Sequence, residues 1–70
     1  MEKKTRKKSK YKRQLLKTIG TLITEGLTNR EISELIGLSE STIAAYVLEM
    51  LEEHDCVNRT QLAVKIVKGA

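Results

Sequence analysis

The sequence contains no proline, no phenylalanine and no tryptophan, a single cysteine and a single histidine. Each scarcity excludes something. One Cys permits neither an internal disulfide nor a multi-cysteine zinc site. With aromatics at 3%, the core must come from Leu, Ile, Val and Ala. The lack of Pro, the four Gly and the helical recurrence of apolar residues argue for an all-α domain and against a β-sandwich or an α/β enzyme. The longest uninterrupted apolar run covers only residues 43–48, far short of the ~20 residues that span a bilayer. The basic start leads into a stretch interrupted by Lys17 and Glu25, which leaves no signal-peptide core. No membrane association is expected, and a cytoplasmic location is. At 70 residues the chain forms one small domain, of a size that buries roughly 60% of its unfolded surface and is marginal alone.

The positive charge is concentrated at one end. Residues 1–13 carry Lys3, Lys4, Arg6, Lys7, Lys8, Lys10, Lys12 and Arg13 against Glu2 alone, whereas residues 14–70 carry five bases against eight acids. Dense like charge repels and buries no apolar area, so residues 1–9 are expected to form a flexible, disordered basic arm. Such arms follow phosphates or enter a minor groove. A plain solubilising tail is the alternative.

Four helices follow from the pattern. Over residues 10–25, Tyr11, Leu15, Ile19, Leu22 and Ile23 recur at helical steps, and Tyr11 is expected to pack at the start of that stripe. Gly26 suits a left-handed helix end. Thr28-Asn29-Arg30-Glu31 has the spacing of a capping box, opening a short helix whose inward side is expected to hold Ile32, Leu35 and Ile36 and which ends at Gly37. Ser39 is the next N-cap candidate, for a helix over residues 40–54 facing inward with Ile43, Tyr46, Val47 and Met50. Asn58, with Gln61 three positions on, caps a last helix to about residue 68, in which Leu62, Ala63 and Ile66 share one side and Val64 and Val67 another. A short helix, a Gly-containing turn at residues 37–39 and a longer helix make the helix-turn-helix pattern.

The blocks Gly26-Leu27-Thr28-Asn29-Arg30-Glu31-Ile32, Leu35, Ser39-Glu40-Ser41-Thr42-Ile43 and Asn58-Arg59-Thr60-Gln61 fall at spacings that resemble, without gaps, the LuxR/FixJ-type (GerE-like) helix-turn-helix family over residues 17–67. The resemblance implies a four-helix LuxR-type DNA-binding domain over residues 10–70, in a stand-alone transcription regulator acting at the nucleoid. It implies that the third helix enters the major groove of double-stranded DNA and that the fourth forms a homodimer contact. The family's usual opening of the first helix is absent, and Ala44, Tyr46 and Leu48 stand where it commonly has Lys, His and a basic residue.

One absence bears directly on that role. Between positions 31 and 58 there is no Lys or Arg but seven acids, although DNA affinity comes largely from neutralised phosphates. A low-charge reading helix is one solution. Ser41, Ala44 and Ala45 are small enough to approach base edges, where Ser can hydrogen-bond and Ala can meet a thymine methyl. Thr28, Arg30, Thr42 and Arg59 are the candidates for phosphate positioning, with Lys7, Lys8, Lys10, Lys12 and Arg13 supplying attraction. The alternative takes Ala44, Ala45 and Leu48 as an apolar strip, rimmed by Glu49 and Glu52, through which a degenerate helix-turn-helix binds a regulatory protein or polymerase subunit. Gln61, Val64, Val67 and Lys68 are the candidate dimer contacts. No catalytic residue, metal ligand set or cofactor is expected. His54 and Cys56 lack the third member that a nucleophilic site needs and the further ligands that zinc needs, and there is no Gly-rich phosphate loop.

Overall fold

The structure, a computed structural model, describes residues 10–69. The expected arm over residues 1–9, with Lys7 and Lys8, lies outside the described residues. Four helices follow in order: α1 (Lys10–Thr24), α2 (Asn29–Ile36), α3 (Glu40–Glu53) and α4 (Arg59–Gly69). α1 packs on α4 and α3, α2 packs on α3, and α3 also meets α4. The chain is thus an all-α helix-turn-helix domain.

Local chemistry sets the boundaries. α1 ends at Gly26, whose φ of 88° is the left-handed conformation that lacks a Cβ penalty in glycine. The capping box at α2 is complete. The Glu31 amide donates to Thr28 Oγ1 at 3.1 Å, and the Thr28 amide donates to Glu31 Oε1 at 2.8 Å. Gly37, at φ 86°, ends α2, and its amide donates to the Ser33 carbonyl at 2.8 Å. Ser39 caps α3 by accepting from the Thr42 amide at 3.1 Å, and Asn58 caps α4 by accepting from the Gln61 amide at 2.8 Å. α3 closes without glycine. Asp55 takes the left-handed position at φ 57°, and the Cys56 amide reaches back to the Leu51 carbonyl at 2.8 Å.

The core is Leu16, Ile19, Ile23, Ile32, Ile43, Val47, Met50 and Leu62. Ile43, Val47 and Met50 face inward as α3's pattern requires, with Tyr46, Leu51 and His54 half-buried beside them. Two expectations are overturned. Tyr11 is 73% exposed, and the buried side of α1 is Leu16, Ile19, Gly20 and Ile23. That side is turned away from Tyr11 because Gly20 admits α4 closely: a Cβ there would lie 3.1 Å from Ile66 Cδ1. Leu35 is 67% exposed and Ser33 is buried in its stead. The Ser33 hydroxyl donates to the Arg30 carbonyl at 2.7 Å, so its burial leaves no unsatisfied polar group.

Candidate nucleic-acid interface

α3 presents two unlike sides. Ser41, Ala44, Ala45 and Leu48 are exposed on one, and Ile43, Val47 and Met50 are buried on the other. The exposed side carries no cation. Its N-terminal part is small side chains, followed by Leu48 and the exposed Glu52. The first turn of the helix is fixed by Ser39, and Ser39 Oγ also donates to Thr42 Oγ1 at 2.8 Å. Thr42 therefore accepts within the cap and keeps its own hydroxyl proton for an outside acceptor.

Three of the expected phosphate contacts gather at the start of α2. Arg59, from α4, donates from Nη1 to Asn29 Oδ1 at 2.5 Å and from Nη2 to the Leu27 carbonyl at 2.5 Å. This fork ties α4 to Leu27 and Asn29, the sequence neighbours of Thr28 and Arg30. A guanidinium has five N–H donors, so Arg59 has others to offer. Arg30 Nε lies 3.5 Å from Glu34 Oε2, with both side chains well exposed, a pair weak enough to exchange for a phosphate. Thr28 spends its hydroxyl on the capping box, where its Oγ1 also donates to Glu31 Oε1 at 3.3 Å.

The cations of α1 lie elsewhere. Lys12 Nζ is 3.2 Å from Glu49 Oε1 and 5.5 Å from the centroid of the Tyr46 ring. Both carboxylate and ring are on α3, so this ammonium clamps α1 onto the edge of α3. Lys10 and Arg13 are exposed on α1, on the flank that meets Met50 and Glu53. On a helical wheel these two α3 residues are remote from Ala44 and Leu48. The described cations expected to act on DNA thus divide between the α2 opening and the far flank of α1. The Arg59 fork and the Lys12 clamp have no local signal, because their partners are some thirty residues or more away in the chain.

On α4, Gln61, Val64, Val67 and Lys68 are exposed, with Val64 at 50% and Val67 at 62%. The Gln61 side chain accepts from the Val57 amide at 3.0 Å. His54 and Cys56 adjoin at the end of α3, where Cys56 Sγ donates to the His54 carbonyl at 3.6 Å. No group of three His, Cys, Asp or Glu able to hold a metal occurs among the described residues, and no helix among them is long and apolar enough to cross a membrane.

Residues 12–66 match the family model of bacterial regulatory proteins of the luxR family. The chain belongs to this family. A curated relative, the two-component response regulator PprB of Pseudomonas aeruginosa, is 36% identical over 52 residues, which is 74% of this chain and 19% of that protein. The chain spans about a fifth of the length of that relative. No solved structure matches. The luxR-family helix-turn-helix is a DNA-binding, regulatory domain, and in this member α2 and α3 are its two helices.

Proposed function

We propose that this luxR-family chain binds duplex DNA as a homodimer and regulates transcription, with α3 lying in the major groove. The observation that carries the reading is the open side of α3. Ser41, Ala44 and Ala45 are small and exposed on a helix capped by Ser39, with Leu48 beyond them. Small side chains let a helix approach base edges closely, a Ser hydroxyl serves either donor or acceptor bases, and Ala meets thymine methyls. Thr42, Arg30 and the remaining donors of Arg59 position the phosphates, with Thr28 beside them. Lys7 and Lys8, in the basic segment that precedes α1, supply sequence-independent attraction at the nucleoid. Lys12 serves the α1–α3 clamp. Val64 and Val67, flanked by Gln61 and Lys68, form the two-fold contact, which would set half-sites about one helical turn apart.

The test is selection of bound fragments from random duplex DNA at about 0.15 M salt, a concentration at which screening is strong but not complete. An enriched, two-fold symmetric motif is expected. No enrichment, together with a stoichiometric protein held through Ala44, Ala45 and Leu48, would make α3 a protein-docking helix instead. The dimer is tested by Val64→Asp, which should lower the sedimentation mass to that of a monomer. A wild-type chain already monomeric at its working concentration on DNA would remove the two-fold contact.

A further inference from the structure

On the flank away from the reading side of α3, two adjoining hollows of about 520 and 540 Å³ share Leu16, Lys17 and Met50. One runs between α1 and α3. The other continues along α1 to α4, over Gly20 and Ile66. Together they form a shallow trough whose apolar floor is the half-buried Ile66 and the outer edges of the core residues Leu16 and Met50. Its rim is basic: Lys10, Arg13 and Lys17 come at helical steps along α1, and Lys65 stands on α4. Lys65 Nζ donates to the His54 carbonyl at 2.7 Å, which holds that ammonium at the edge of the trough. Lys10, Arg13 and Lys17 are exposed. The acid in the trough wall, Glu53, is itself partnered.

We propose that this trough docks an acidic amphipathic helix of a partner protein, its apolar residues over Leu16, Met50 and Ile66 and its carboxylates along Lys10, Arg13 and Lys17. Charge complementarity selects the occupant. The chain's own residues 1–13 carry the wrong sign, with eight bases against one acid. A nucleic-acid backbone has the right sign but nothing to set against an apolar floor, whereas an amphipathic helix supplies both components. The trough also points away from DNA when α3 occupies a major groove, a step that rests on the proposed function. The absence of Lys and Arg between positions 31 and 58 then has a counterpart: the α1 cations serve a protein, and the arm and the α2 opening serve DNA.

The test is titration of the full chain, free of DNA, with a labelled twenty-residue helical peptide of Leu at i, i+3 and i+4 spacing on one side and Glu on the other. A second peptide has every Leu replaced by Ala. Amide shift perturbations are expected at Leu16, Lys17, Gly20 and Ile66, with affinity falling at least tenfold for the Ala peptide and tenfold for Lys17→Glu. Equal binding of both peptides, or shifts confined to other positions, overturns the proposal. So does a random duplex that perturbs Arg13 and Lys17 while leaving Ala44 and Ala45 unmoved. Should Lys17→Glu fail to fold, the shift map and the two-peptide comparison on the wild-type chain decide alone. Because DNA takes no part in the peptide titration, docking can succeed where site selection fails, and the reverse.

Discussion

Two sides of α3 differ in what they are built to meet. Toward solvent, Ser41, Ala44 and Ala45 are small and uncharged. Toward α1, Tyr46 and Glu49 are half-buried and hold Lys12. Of the two acids that rim the small side chains, Glu49 is held by Lys12 inside the fold, while Glu52 stays exposed on the solvent side. In the function proposed above, discrimination and attraction therefore reside in different places: shape and close approach on α3, cations at the α2 opening and in the basic N-terminal segment.

The sharpest way to break the contrast is to change neighbours on opposite sides. Ile43 is fully buried, so Ile43→Ala should lower unfolding free energy by about 2–5 kcal/mol in a urea titration, enough to unfold most of so small a domain. Ala45→Glu, two positions on and exposed, should change that quantity by under about 0.5 kcal/mol. Its effect falls on DNA, where a carboxylate set among phosphates costs several kcal/mol, and site selection should be abolished. Normal binding by a folded Ala45→Glu variant would move the contact surface off α3.

A smaller effect is expected at Arg59. Arg59→Ala removes both hydrogen bonds that tie α4 to the loop before α2; water can replace the guanidinium at these half-buried partners, so the two together should contribute no more than about 1.5–3 kcal/mol. The urea midpoint should fall accordingly, before any weakening of DNA binding is counted. An unchanged midpoint would make Arg59 a surface cation only. Smallest of all is Glu49→Gln. The Lys12–Glu49 pair is about one-third exposed on each side chain, and such pairs contribute at most about 1 kcal/mol. The cation over Tyr46 also remains in that variant.

Much of the fold is legible in the sequence because it is set locally. Thr28, Ser39 and Asn58 are caps whose partners lie three residues away, and Gly26 and Gly37 mark helix ends by a backbone conformation other residues resist. The rest is set by packing. A helical wheel weighs apolar side chains, so it places Tyr11 and Leu35 in the interior and passes over Gly20 and Ser33. Gly20 contributes by the side chain it lacks, and Ser33 by a hydroxyl satisfied on its own helix. The exposed side of α3, which the proposal turns toward DNA, is visible in the sequence, since exposure there follows from helical period alone. The division of the cations is not, because the placement of Lys12 against Glu49 and of Arg59 against Asn29 depends on how helices distant in sequence cross.

The separation of attraction from discrimination is tested most directly by measuring affinity for a selected site and for random duplex across a range of salt, with the full chain and with a chain lacking residues 1–9. Every phosphate that the protein no longer neutralises flattens the slope of log K against log salt by roughly 0.9. The truncated chain should bind both DNAs more weakly, with a flatter slope and an unchanged ratio between them. A ratio that collapses on truncation, or a slope that does not move, would contradict the separation.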